Sequence, residues 1–232
     1  MSVDRGPVVS IGECMVELAR GADGRFGLSY GGDTFNTAVY LARCGVPVAY
    51  ATLLGDEPYS AGIIELARRE GIATGLIGSR AGRSAGLYLI ETTPAGERTF
   101  HYWRDRAPAR ELFDGARSAA VEAAMARARL VYFSGITLSL YAAPALDRLA
   151  AALAAARASG VWIVMDGNFR PRGWAGDLAR ARATFERFWR LADIALPTFE
   201  DEAMLWGDAG VAATLARFRG FGVTEIALKQ GA

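Results

Sequence analysis

The residue pattern of this chain predicts an α/β fold with a mainly parallel sheet, and three observations carry that prediction. Short apolar runs without strict alternation recur at 48–54, 131–134 and 161–165, as buried parallel strands require. Segments of helical period separate them, such as 34–44 with Phe35, Ala38, Val39, Leu41 and Ala42 on one face. Gly and Asp follow the runs, at Gly55-Asp56, Gly135 and Asp166-Gly167, where turns are needed.

Each element follows in order. Residues 8–11 and 15–18 read as a first strand pair around Gly12. The helix over 34–44 comes next, then the strand over 48–54, then a helix over about 59–70 that Gly71 can stop. Residues 86–91 and 98–103 are strand-like and flank Thr93-Pro94-Ala95-Gly96, a turn signal. They predict an antiparallel hairpin inserted at about 84–104, whose alternating aromatics give it one face suited to covering something. Alternation then resumes with a strand at 131–134, an alanine-rich helix at 142–158 and a strand at 161–166. A helix at 178–191, a strand at 193–196, helices at 199–206 and 212–219 and a strand at 224–229 complete the series. One domain over 1–232 is expected, with the hairpin as its appendage.

Composition narrows the chemistry. Of 232 residues, 52% are apolar and 22% charged, enough for a full core, and a net charge of +1 argues against a nucleic-acid surface. Lys229 is the only lysine, so the arginine excess reflects compositional bias and only individual arginines are functional candidates. Cys14 and Cys44 have neither metal nor redox spacing and are expected to pack as small buried groups in a reducing compartment. His101 is the sole histidine, which leaves no basis for a histidine triad. No apolar run reaches membrane length and the opening residues lack a signal-type core, so a cytoplasmic protein is expected.

Four constellations carry chemistry. The run 161–165 ends at Asp166, and the following loop presents Arg170 and Arg172 around Pro171. Ligands of open α/β sheets bind at the carboxyl ends of strands, and a guanidinium there matches a carboxylate or phosphate, so an anionic small molecule is expected. Gly31-Gly32-Asp33-Thr34-Phe35-Asn36 precedes a helix. It allows close backbone approach to a ligand with Asp33 and Asn36 as polar contacts, or simply a helix entry capped by Asp33 or Thr34. It is neither the GxGxxG fingerprint nor a Walker A loop. Tyr102 and Arg104 share strand parity and suit hydroxyl and carboxylate recognition, or a cross-strand stabilising set; His101 has the opposite parity. Thr198-Phe199-Glu200-Asp201-Glu202 offers acidic groups either to a helix dipole or to a hydrated magnesium ion.

Together these residues resemble the ribokinase-like (PfkB) sugar kinases. The resemblance runs through Ile11-Gly-Glu-Cys-Met15, the run from Gly31 to Arg43, Gly96-Glu-Arg-Thr-Phe-His-Tyr-Trp-Arg104, Ser134-Gly-Ile-Thr137, Asp166-Gly-Asn-Phe-Arg-Pro171, Asp201-Glu-Ala-Met-Leu-Trp-Gly207 and Lys229-Gln-Gly-Ala232. Seven motifs in register are far more specific than any one of them. The resemblance implies a Rossmann-like ribokinase fold with a small β lid, and transfer of the ATP γ-phosphoryl group to a sugar hydroxyl with Mg²⁺. Its closest pattern is the subgroup acting on a sugar acid, 2-keto-3-deoxygluconate, giving the 6-phosphate. Carried over residue by residue, Gly31, Gly32, Asp33, Asn36, Tyr88, Tyr102, Arg104 and Arg170 are expected at the substrate. Asn168, Lys229 and Gly231 are expected at the nucleotide, and Asp201 at the metal, with Thr198 where the family has Asn. A homo-oligomer is implied as well. The family pattern continues beyond 229–232 into a Gly-Ala-Gly-Asp-like motif whose Asp is the catalytic base and whose helix N-terminus holds the transferring phosphoryl. The resemblance therefore places no catalytic residue within 1–232, and expects a fold incomplete at its C-terminal part and negligible kinase activity from the chain alone. A kinase of a neutral sugar or nucleoside, and a non-catalytic sugar-acid-binding relative, are the alternative readings.

Overall fold

The apolar runs become strands and the 3.6-period segments become helices, in the order expected. A computed structural model describes residues 6–21, 23–93 and 96–231. It consists of two compact units, one formed by Met1–Val9 with Ser118–Ala232 and the other by Ser10–Arg117. Strand β1 (Gly6–Ile11) runs through the division, with Ser10 and Ile11 in the second unit.

The second unit holds two sheets. Strands β2 (Met15–Arg20) and β3 (Phe26–Gly31) lead into helix α1 (Asp33–Arg43), strand β4 (Val48–Leu54), helix α2 (Pro58–Arg69) and strand β5 (Ile77–Ser79). Strands β6 (Leu87–Thr92) and β7 (Arg98–Trp103) close the series. β4 lies between the end of β1 and β5, with β5 parallel to it, and all seven of its residues are buried. That is why its sequence is continuously apolar rather than alternating. α2 starts where Pro58 occupies the first turn and the Glu57 carboxylate accepts hydrogen bonds from Ser60 N and Oγ, both at 2.8 Å. The expected hairpin forms as β6 and β7, but as half of a four-stranded sheet in the order β3-β2-β6-β7. Its turn lies partly outside the described residues, at Pro94 and Ala95.

The expected pairing of 8–11 with 15–18 does not occur: β1 joins the parallel sheet and β2 joins the four-stranded one. Gly12 donates to Ala51 O at 3.3 Å and marks the point where the chain leaves one sheet for the other. Cys14 is buried as expected, whereas Cys44 is exposed, because it caps the end of α1 where Gly45 (φ 78°) turns the chain.

The first unit is a parallel sheet with its helices. Helix α3 (Ser118–Met125), strand β8 (Ala128–Ser134), helices α4 (Gly135–Leu140) and α5 (Ala143–Ala158) and strand β9 (Trp162–Asp166) come first. Helix α6 (Leu178–Trp189), strand β10 (Ile194–Leu196), helices α7 (Phe199–Trp206) and α8 (Val211–Phe221) and strand β11 (Glu225–Ile226) follow. The strand order is β11-β10-β9-β8-β1, and β8/β9, β9/β10 and β10/β11 are parallel. Its core is aromatic: Trp174, Phe185 and Trp189 are buried with Phe169 and Phe218, and rings meet edge-on at 4.8–5.8 Å. Each such side chain contributes about 1.5–3 kcal/mol by leaving water. The strand expected over 224–229 shrinks to two residues in β11, after which Lys229 bridges Thr198.

Candidate functional site

In the second unit the register of the four-stranded sheet builds a polar row. Ser29 of β3 pairs with Glu17 of β2, Glu17 with Tyr88 of β6, and Tyr88 with Tyr102 of β7. Residues in register share a face, so one side chain from each strand points the same way. The row is hydrogen-bonded from its centre: the Tyr88 hydroxyl donates to Glu17 Oε2, and Ser29 Oγ donates to Glu17 Oε1 at 2.7 Å. Burial and the hydrogen bond to Glu17 both push the Tyr88 phenol up, so it keeps its proton at neutral pH. The Tyr88 and Tyr102 rings lie 5.9 Å apart, with Tyr88 buried and Tyr102 46% exposed.

Gly31 ends the next row, opposite Met15. A Cβ on Gly31 would lie 2.6 Å from the Tyr88 hydroxyl, 3.6 Å from Glu17 Oε2 and 3.8 Å from Asn36 Oδ1. A side chain there would fill the space that these three polar atoms surround. Gly32 is required for another reason. Its Cβ would run into the backbone carbonyl of Glu13, so only glycine lets the start of α1 approach this segment. Gly32 is the N-cap and no side chain caps the helix, so neither Asp33 nor Thr34 does the capping work. Thr34 instead turns to the Tyr50 hydroxyl, 3.2 Å away.

Beside the row stands Arg104. Its guanidinium lies 5.9 Å from the Tyr102 ring centroid, in agreement with the shared parity, and touches the Glu13 carboxylate. Glu13 is 3% exposed, and Arg104 Nε and Glu13 Oε1 have no hydrogen-bond partner among the described residues. The pair meets as ions without hydrogen-bonding geometry. Burial pushes the Glu13 carboxyl up, Arg104 and more distant Arg110 oppose that, and the charge of Asp33 adds to it. A guanidinium beside a tyrosine ring, next to a row that carries two phenols, is chemically suited to a polyhydroxy carboxylate.

The first unit holds the other set, at the carboxyl ends of β9 and β10. Asp166 ends β9 and accepts from Lys229 Nζ through both oxygens at 2.8 Å. Lys229 is fixed by backbone bonds to both sides of Thr198: its N–H donates to Pro197 O at 2.8 Å and its carbonyl accepts from Phe199 N at 2.9 Å. Asn168 has φ 34°, a left-handed conformation that Asn tolerates better than most residues. Arg170 is exposed, donates to Phe169 O at 2.8 Å and pairs with Asp201 at 3.3 Å. Asp201 also accepts from Phe169 N at 3.2 Å, and Glu200 accepts from Gly231 N at 3.0 Å. The acidic turn of α7 thus ties down both loops instead of only complementing a dipole. Glu202, one residue on, is fully buried and bonded to Arg217 at 2.9 Å, and burial pushes it up to about 7 despite that cation.

The structure therefore brings Gly31, Asn36 and Tyr88 together, sets Tyr102 and Arg104 side by side, and places Asp33 within electrostatic reach of Glu13 in the second unit. In the first unit it groups Arg170 with Asp201, Lys229 with Asp166, and Gly231 with Glu200. A carboxylate has lone pairs beyond those given to Phe169 and Arg170, so Asp201 fits a hydrated Mg²⁺, which takes one or two carboxylates and keeps waters. Among the described residues there is no group of three or more His, Cys, Asp or Glu able to hold a metal alone. Sequence reasoning missed Glu13 and Glu17. Glu17 interrupts the apolar run of β2 and Glu13 lies in the short link between β1 and β2, and a carboxylate in such apolar surroundings needs a partner once covered.

Comparison with known proteins gives the family. The pfkB family carbohydrate kinase pattern matches residues 6–232. The chain is 39% identical over 230 residues to the 2-dehydro-3-deoxygluconokinase of Dickeya dadantii (strain 3937), covering 97% of this chain and 73% of that one. With the 2-dehydro-3-deoxygluconokinase of Escherichia coli (strain K12) it shares 38% over 230 residues, covering 97% and 74%. The crystal structure of 2-dehydro-3-deoxygluconokinase from Thermotoga maritima is 25% identical, matches with a TM-score of 0.82, and is covered to 71% by 97% of this chain. Fold, motif order and family match coincide along the described residues, and the chain belongs to the pfkB family of carbohydrate kinases.

Proposed function

We propose that this family member phosphorylates a sugar acid, 2-keto-3-deoxygluconate (2-dehydro-3-deoxygluconate), at its primary hydroxyl at the expense of ATP. The observation that carries the reading is Arg104, a mostly buried guanidinium in contact with Tyr102 on the edge of a polar row. Glu13 already pairs with this cation, but a guanidinium has five N–H donors, and those Glu13 leaves can make charge-assisted hydrogen bonds to a substrate carboxylate that a neutral sugar cannot match. Gly31, Gly32, Asp33 and Asn36 bound the same substrate, with Tyr88 and Tyr102 on its hydroxyls. In the first unit, the exposed guanidinium of Arg170 belongs to the substrate-binding set of this reading, and Asn168, Lys229 and Gly231 to the nucleotide-binding set. When bound, Mg²⁺ held near Asp201 would neutralise phosphate charge. A homo-oligomer and a cytoplasmic setting belong to the same proposal, and sedimentation velocity tests the first of them.

Calorimetric titration of the chain with 2-keto-3-deoxygluconate, D-fructose and D-ribose is the test. The acid should bind at least about tenfold more tightly than either neutral sugar. Equal or inverted preference overturns the sugar-acid assignment and favours a neutral-sugar kinase.

A further inference from the structure

Glu17 lies in the middle of the polar row, on β2, and the reading above gives it no role. It accepts a hydrogen bond from the Tyr88 hydroxyl, and its other oxygen accepts one from Ser29 Oγ. Of its two hydrogen-bond partners, Tyr88 also faces the space at Gly31, where Tyr88 Oη, Glu17 Oε2 and Asn36 Oδ1 come together. A phenol has one proton and two lone pairs. With the proton committed to a carboxylate, the oxygen facing a ligand can only accept.

We propose that Glu17 is a positioning and specificity-determining residue that makes Tyr88 an obligate acceptor for a substrate hydroxyl. The inference deepens the sugar-acid reading and rests on it. The hydrogen bond to a carboxylate also polarises the phenol and makes its oxygen a stronger acceptor. The negative charge of Glu17 repels a substrate carboxylate, so the row fixes the polarity of the bound acid. Its carboxylate lies toward Arg104, and a hydroxyl lies one row further along, about 7 Å away at two residues of strand rise. Tyr88 then reads a hydroxyl and discriminates against analogues that lack it, because the phenol oxygen would be left buried without a donor.

The test is a double-mutant cycle read by calorimetric titration with 2-keto-3-deoxygluconate. Tyr88→Phe should weaken binding about tenfold or more, and Glu17→Ala should weaken it several-fold. Glu17→Ala placed in the Tyr88→Phe background should add nothing, since Glu17 acts through the phenol. Glu17→Gln, which keeps an acceptor oxygen without the charge, should recover part of the affinity, and it carries the cycle should Glu17→Ala not fold. With analogues lacking one hydroxyl each, the Tyr88→Phe loss should vanish for one of them, while replacing the carboxylate by a carboxamide should leave that loss unchanged. If Tyr88→Phe has no effect, the placement of substrate at Tyr88 fails and the inference falls with it. If Tyr88→Phe weakens binding but Glu17→Ala does not, or weakens it equally in both backgrounds, the role of Glu17 alone is overturned. A Tyr88→Phe loss that vanishes with the carboxamide would show Tyr88 donating to the acid, and would also overturn it.

Discussion

Arg104 has one ion pair in the fold and a second role in the proposed reading, and they can be separated. It pairs with buried Glu13, and in that reading its guanidinium takes the substrate carboxylate as well. Arg104→Ala should weaken 2-keto-3-deoxygluconate binding about ten- to hundredfold, the range of charge-assisted hydrogen bonds. It should also lower the melting temperature, because it strands a buried carboxylate. Adding Glu13→Gln to that variant should recover melting temperature but not affinity; recovery of both would mean that Arg104 is structural only. Arg170 is different, since its pair with Asp201 is exposed on the arginine side. Arg170→Ala should cost no more than about 1 kcal/mol of stability, as exposed ion pairs do, yet weaken binding of the acid severalfold in the same titration. Strand parity made Tyr102 and Arg104 legible from sequence as neighbours. Glu17 was illegible because its partner Tyr88 lies 71 residues away, and only the parallel β2–β6 register brings them together.

The elements that were hardest to read are those whose pattern is weak on its own. In β3, Phe26, Leu28 and Tyr30 alternate with Gly27, Ser29 and Gly31, a period of two that small residues disguise as a loop. β5 has three residues and β11 two, too short for any periodicity. The long apolar strand β4 and the helices α2, α6 and α7 were legible because burial on both faces, or a clear capping residue, leaves its mark locally. Of the two readings offered for the Gly31-Gly32 turn, the capped helix entry fails, since α1 has no side-chain cap, and what Gly32 serves in the fold is close approach to the backbone of Glu13. Gly32→Ala should therefore destabilise the protein by about 1–3 kcal/mol in chemical denaturation, because the carbonyl of Glu13 is backbone and cannot swing aside. Wild-type stability in that variant would mean the turn has slack that the structure does not show.

For the molecule as a whole, the clearest pH signature comes from Glu202. Its carboxyl titrates near 4.5 in an unfolded chain and is pushed up to about 7 in the fold by burial, which Arg217 only partly offsets. The folded state therefore binds the extra proton more tightly, and its stabilising effect is complete below pH 4.5 and lost as pH rises through 7. Glu202→Gln stays neutral throughout, so its melting temperature should fall less than wild type's between pH 5 and pH 8. Parallel curves would mean that Glu202 ionises in the fold at little cost. The parallel sheet, the hairpin and the order of the motifs were readable along the chain, and they sufficed for the family; the four-stranded sheet was not, because its strands come from two stretches separated by α1, β4, α2 and β5. No helix among the described residues is long and apolar enough to cross a membrane. The most direct test of the central claim is a crystal structure of this chain with 2-keto-3-deoxygluconate bound. The predicted density has the carboxylate within hydrogen-bonding distance of the Arg104 guanidinium and a hydroxyl donating to Tyr88 Oη; an acid bound the other way round, or away from this face of the sheet, would contradict it.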